Sequence, residues 1–238
     1  GTVVIQGGRI TTSGAQTYND AVLLDNIGHV TTLNTSNAAV LFGSSVNNAT
    51  TSAEALTINA DTGAVTFQGA VGNSTTNLAI GALAVNSGAA TTFASTVDAE
   101  SVTTDAGGTV VIQGGRITTS GTQSYGEAAT LGANTVLSSS ATGDISFANT
   151  LNGAKTLAIN TAGATVFNGV VGGTTALTSI TTDAGGTVAI NGGVVNTTGA
   201  QSYGEAATLG AATVLTSTNS GAITFGNTLN GAQTLDVN

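Results

Sequence analysis

The strongest constraint on this chain is that it copies itself. Gly1-Thr2-Val3-Val4-Ile5-Gln6-Gly7-Gly8-Arg9-Ile10-Thr11-Thr12-Ser13-Gly14 returns residue for residue at 108–121. A looser copy, Gly186-Thr187-Val188-Ala189-Ile190-Asn191-Gly192-Gly193, follows the second. The segment from Tyr125 to Gly132 recurs from Tyr203 to Gly210. Ile145-Ser146-Phe147 recurs as Ile223-Thr224-Phe225, and Leu151-Asn152-Gly153-Ala154 as Leu229-Asn230-Gly231-Ala232. The chain therefore reads as a single repeat region, 1–238, made of super-repeats 1–107, 108–185 and a shortened 186–238. The first is longer than the second by about the size of one inserted unit, a length close to the even spacing of Phe42, Phe67 and Phe93. Self-similarity at this period marks an array in which each unit touches only its neighbours.

Within a unit the pattern is that of strands. Leu157-Ala158-Ile159-Asn160, Val188-Ala189-Ile190-Asn191 and Ala222-Ile223-Thr224-Phe225 alternate apolar with small or polar residues, bounded by Gly and Asn. Ala-rich stretches such as Gly204-Glu205-Ala206-Ala207-Thr208 are short and broken by Gly, so no helix is expected. Short strands with Gly turns between them fit a three-faced coil. Stacked, such coils form an all-β parallel β-helix (a β-solenoid) with about 20–29 residues per coil. A coil near the upper part of that range, matching the Phe spacing, is favoured over one at its lower end. Matching positions should pile into ladders, with Ile58, Val85, Ile159, Ile190 and Val237 in one inward row. Phe42, Phe67, Phe93, Phe147, Phe167 and Phe225 should form one aromatic stack. Asn59, Asn86, Asn160, Asn191 and Asn238 should turn corners in the left-handed conformation and bond coil to coil.

Composition narrows the function classes. Of 238 residues, 40% are hydrophobic and mean hydropathy is +0.30, which supports a packed core of small side chains. Three basic residues (Arg9, Arg116, Lys155) against twelve acids exclude a nucleic-acid partner, which needs Lys and Arg to displace counterions. Absence of Cys excludes disulfides and thiolate metal sites, and no apolar run reaches the length of a spanning helix, so no membrane insertion of this segment is expected. Absence of Pro suits strands that must all donate their amides.

The candidate chemistry is thin. His29 is the sole His, has no repeat partner and lacks an acid–base constellation around it, so a surface position is expected. Arg9 and Arg116 share a repeat position that the third copy fills with Val194, which points to tolerance. Asp105 and Asp183 sit in the same Thr-Thr-Asp-Ala-Gly-Gly turn, and Glu127 and Glu205 in the same Tyr-Gly-Glu-Ala turn. Calcium wants six to eight oxygens, and these acids recur only once per super-repeat, several coils apart, so solvated turns are the expectation. Thr216-Ser217-Thr218 has no matching T-x-T in other coils, against an ice-binding array. The sequons at Asn34, Asn48, Asn73 and Asn196 are what this composition yields by chance. No catalytic, cofactor-binding or metal-binding residue is assigned, and the chain is not expected to be an enzyme.

With the unit Leu157-Ala158-Ile159-Asn160-Thr161-Ala162-Gly163-Ala164-Thr165-Val166-Phe167-Asn168-Gly169-Val170-Val171-Gly172-Gly173 and the GTVVIQGG turns in view, the chain resembles the repetitive passenger regions of secreted bacterial adhesins, of the filamentous-haemagglutinin-like and autotransporter-like kind. The resemblance spans essentially the whole chain and speaks to architecture. It implies a right-handed parallel β-helix, an extracellular or cell-surface location and a non-enzymatic structural role, the stalk of a surface adhesin. Partners would be neighbouring repeats, further copies stacking at coil ends, and a host or cell-surface glycan or protein. Neither end reads as a cap, which raises a second expectation, a self-assembling filament or sheath subunit. A polysaccharide-acting β-helix enzyme is the third; it needs clustered acids with a basic residue on one face.

Overall fold

A computed structural model describes residues 1–26, 30–73 and 79–238. Thirty short strands and no helix occur among them, so there is no helix long and apolar enough to cross a membrane. Every strand pairing is parallel and joins one coil to the next, as in Leu33↔Ile58↔Val85. The chain is a β-solenoid of about ten coils.

Each coil has three faces, visited in a fixed order. Face 1 begins with the strand Thr2–Ile5, face 2 with Arg9–Thr11 and face 3 with Gln16–Tyr18. The registers trace one inward row up each face. Face 1 carries Val3, Val22, Val46, Val71, Val97, Ile117, Leu137, Ile159, Thr182, Tyr203 and Phe225. Face 2 carries Ile10, Leu33, Ile58, Val85, Thr104, Tyr125, Phe147, Phe167, Ile190 and Leu209. Face 3 runs from Gln16 through Val40, Val65, Thr91, Val110 and Ala129 to Leu151, Val171, Val195, Leu215 and Val237.

The coil is shorter than the Phe spacing favours. Parallel partners are about 22 residues apart on average. The early coils are the long ones: Phe42 pairs Phe67 and Phe67 pairs Phe93, but Phe93 pairs Ile112, which follows it much sooner in the chain. The change comes at the strand Val97–Thr104, which runs from face 1 onto face 2 without an intervening loop. The spacing read from the first three Phe residues is thus local to the wider coils.

The super-repeat is out of phase with the coil. The strand ending at Tyr125 lies on face 2, and its copy ending at Tyr203 lies on face 1, because eleven strand positions separate them. Eleven positions are three and two-thirds coils. From Tyr18, on face 3, to Tyr125 there are fourteen, or four and two-thirds. The extra segment of the first super-repeat is therefore one complete coil, and each successive copy steps back by one face.

This phase corrects two expected ladders. Ile58, Val85 and Ile190 share face 2, whereas Ile159 stands on face 1 and Val237 on face 3. The aromatics form three stacks, each opened by a Tyr. Tyr18, Phe42, Phe67 and Phe93 stack on face 3 with centroids 5.0–5.4 Å apart. Tyr125, Phe147 and Phe167 stack on face 2, and Tyr203 and Phe225 on face 1. Offset rings at this spacing gain about 0.5–1.5 kcal/mol per pair beyond their burial.

The Asn ladder is present in part. Asn59 donates its amide to Asn34 Oδ1 at 2.8 Å, Asn86 to Asn59 Oδ1 at 2.7 Å, and Asn191 to Asn168 Oδ1 at 2.8 Å. None of the five predicted Asn residues adopts the left-handed conformation. Asn59 lies in the strand Ala55–Asp61, and among the described residues the left-handed non-Gly positions are Asn37, Asp61 and Ser220. Where the chain does cross to positive φ in the repeated turns it uses Gly. Gly108 (φ 70°) packs so closely on Ala89 O that a Cβ has no room.

Candidate functional site

Two kinds of polar corner recur with the super-repeat. The first is built from Thr-[Ser/Thr]-Gly-x-Gln-[Ser/Thr]-Tyr, at Thr12 to Tyr18, Thr119 to Tyr125 and Thr197 to Tyr203. The Gln–x–Tyr strand alternates in and out, so Gln and Tyr both point inward; Gln123, Tyr125, Gln201 and Tyr203 have no exposed surface. Gln123 Nε2 donates to Ser138 O at 2.9 Å, and Tyr125 donates its hydroxyl to Gln123 Oε1 at 2.9 Å. Gln201 and Tyr203 repeat this on face 1 with Thr216 O at 3.0 Å and 3.0 Å between the side chains. Gln16 and Tyr18 repeat it on face 3 with Asn34 O at 2.9 Å and 2.9 Å. The Thr hydroxyl closes the corner: Thr119 donates to Gly121 O at 2.6 Å and lies 3.3 Å from Gln123 Nε2. Burial pushes the Tyr125 and Tyr203 phenols well above their ordinary range, so both stay protonated donors. Sequence reasoning passes over this module, although its fixed spacing in three copies carries the signal.

The second corner holds the acids. Glu127 and Glu205 are expected from the sequence in solvated turns, but each is 1% exposed. The cause is alternation: Tyr125 points in, Gly126 out, Glu127 in. Glu127 sits where face 2 gives way to face 3, and Glu205 where face 1 gives way to face 2. No donor reaches either carboxyl at full hydrogen-bonding geometry. Burial pushes the Glu127 carboxyl up to about 6. The nearby Thr104 hydroxyl and the residue's own amide ease the charge, while Asp105 opposes it. Glu205 is raised for the same first reason, with Thr182, its own amide, Asp183 and Thr165 in the surrounding shell. Asp105 and Asp183 are half-buried, and Asp105 Oδ1 accepts the Ser87 amide at 3.2 Å. Among the described residues, no three His, Asp or Glu side chains gather in one place.

The remaining candidates are structural. Arg116 holds Asp98 with two parallel bonds of 2.6 and 2.9 Å and also donates to Thr118 Oγ1 at 2.8 Å. Asp98, Glu100, Thr118, Ser120, Ala99 and Ile80 border a groove of about 470 Å³. Arg9 donates to Thr11 Oγ1 at 3.1 Å, and Val194 takes the position in the third copy. Asn48 is buried and gives its amide to Ala79 O at 2.7 Å, and Asn34 is engaged with Thr11 and Asn59. Asn48 thus has its side chain committed inside the fold, and Asn34 is half-buried in the outer Asn ladder. Asn73 and Asn196 are half-buried. In Thr216-Ser217-Thr218 the middle residue points inward. His29 lies outside the described residues. No protein-family model, curated protein or solved structure matches the chain.

Proposed function

We propose that the chain is a structural spacer, a stalk segment of a secreted, cell-surface adhesin, without enzymatic activity of its own. One observation carries this reading. The segment by which the first super-repeat exceeds the second forms one whole coil, so the array lengthens along its axis while every strand keeps its neighbours above and below. A catalytic or receptor site is tied to particular residues at one height. A spacer is tied only to continuity. Internal hydrogen bonding from coil to coil and three aromatic stacks supply that continuity. The sparse charge and small side chains suit a surface that contacts little, leaving a glycan or protein ligand to be held elsewhere in the parent molecule.

The test is geometric. Variants carrying one and two additional copies of 108–185 should grow by about 18 Å per copy, since coils rise about 4.8 Å each. Atomic-force height measurements of the tethered rods read this directly. Unchanged height, or sideways thickening, refutes the spacer reading; concentration-dependent fibres from the purified chain support a filament subunit instead.

A further inference from the structure

Among the described residues, the buried side-chain oxygens that lack a well-formed hydrogen bond are confined to three places. They belong to Thr31 and Glu54, to Thr91 and Glu127, and to Thr165, Asp183 and Glu205. The last two sets are built alike. Each Glu stands at a corner, two positions before an Ala on the next face, and the unpartnered Thr occupies the same inward row two coils below that Ala: Thr91↔Val110↔Ala129 and Thr165↔Val188↔Ala207. Each Glu also has the Thr-Asp pair of the preceding coil beside it, Thr104-Asp105 and Thr182-Asp183.

We propose that these two corners are equivalent binding sites for a hard divalent cation of the calcium type, held by Glu127, Asp105, Thr104 and Thr91 in one and by Glu205, Asp183, Thr182 and Thr165 in the other. Compensating charge is what these corners lack. A buried carboxylate eased only by Thr hydroxyls and its own amide is costly, and here a second carboxylate stands against it. A water molecule supplies donors but no charge, and a proton neutralises only one of the two carboxylates. A divalent cation neutralises both groups at once. The oxygens on offer are carboxylate and hydroxyl, which are hard ligands, and they come from separate strands. That combination suits calcium, which tolerates irregular shells completed by carbonyls and water, better than magnesium. None of the three basic side chains substitutes for the ion: Arg116 is taken by Asp98, Arg9 faces Thr11, and the electrostatic surroundings of Glu127 and Glu205 include no cation. The third place differs. Glu54 Oε2 already accepts the Asn26 amide, leaving a single unpartnered oxygen.

Calorimetric titration of the chelator-stripped full chain with calcium chloride at neutral pH and physiological salt tests this. Two ions per chain are expected. Glu127→Gln and Glu205→Gln should each reduce the count to one, the double variant to none, and Glu54→Gln should leave two. Far-ultraviolet spectra establish that each variant retains the β fold; where a Glu variant does not, Asp105→Asn or Asp183→Asn must show the same loss of one ion. No calcium uptake by the parent chain overturns the proposal. So does uptake that survives the double substitution, which would place the ions on exposed acids.

Discussion

Replacing Gln123 with Leu isolates the energy of the buried Gln–Tyr module. Leu matches Gln closely in volume, so little cavity opens and the polar consequence dominates. Four contacts disappear: the amide to Ser138 O at 2.9 Å, its longer bonds to Ile117 O and Thr119 Oγ1, both 3.3 Å, and the acceptor of the Tyr125 hydroxyl at 2.9 Å. The Tyr125 hydroxyl, with no exposed surface, then has no partner, which costs about 1–3 kcal/mol, and the lost amide bond adds about 1 kcal/mol. Gln123→Leu should therefore destabilise the chain by about 2–4 kcal/mol. Tyr125→Phe alone leaves Gln123 Oε1 unpartnered and should cost about 1–2 kcal/mol. In the double variant neither polar atom remains, so the combined cost should fall short of the sum by about 1–2 kcal/mol. Urea unfolding of the four proteins, followed by circular dichroism at fixed pH, measures the cycle. Additive effects, or a neutral Gln123→Leu, would refute the claim that the pair acts as one satisfied unit.

Other consequences are open to the same unfolding measurements. Glu127 has a folded-state value near 6, above its ordinary 4.5, so the folded chain holds the proton more tightly than the unfolded one. In chelator, stability should be fully present below about pH 4.5 and fall as pH rises through 6, by at most about 2 kcal/mol, with Glu205 adding in the same direction; a melting temperature that climbs over this window contradicts the assignment. Phe67 is sandwiched by Phe42 and Phe93, so Phe67→Ala should cost about 3–5 kcal/mol in urea, and the half-buried Phe225 clearly less. Deleting residues 148–167 removes one coil, because Phe147 pairs Phe167, and should leave a folded rod about 4.8 Å shorter by small-angle scattering; deleting 148–157 puts every downstream strand on the wrong face and should abolish the cooperative transition.

Strand type, parallel stacking and the three faces are legible because each rests on local pattern: alternation in Leu157-Ala158-Ile159 and Gly at the turns. Phase is not legible, because it depends on how many strand positions a repeat contains. Segments such as Val71 and Val171 take part through single bridges and leave no strand-length signature to count. Hence the sequence pattern groups Phe147, which belongs to face 2, with Phe42 of face 3. The acids illustrate a second limit. Composition says that a Glu in a Gly-rich turn is solvated, but whether it points in or out follows from the parity set by the neighbouring Tyr125, a buried residue whose orientation is fixed by the stack it opens. The Gln of the Gln–x–Tyr strand escapes notice for the opposite reason. It reads as an ordinary polar residue until Tyr and Thr are seen to saturate it.

The one-face step between successive super-repeats has a mechanical consequence. Were the repeat a whole number of coils, every buried Gln–Tyr module and every acid corner would recur on a single edge, and that edge would differ in stiffness and charge from the other two. With the step, Tyr18, Tyr125 and Tyr203 open their stacks on faces 3, 2 and 1, and Glu127 and Glu205 fall on different corners. Three super-repeats therefore distribute the Gln–Tyr modules once around the axis. A surface evolved to bind one extended partner gains from the opposite arrangement, with matched groups aligned on one side. An array that spreads its irregularities evenly singles out no edge, which is the arrangement expected of the proposed spacer and not of an aligned binding face.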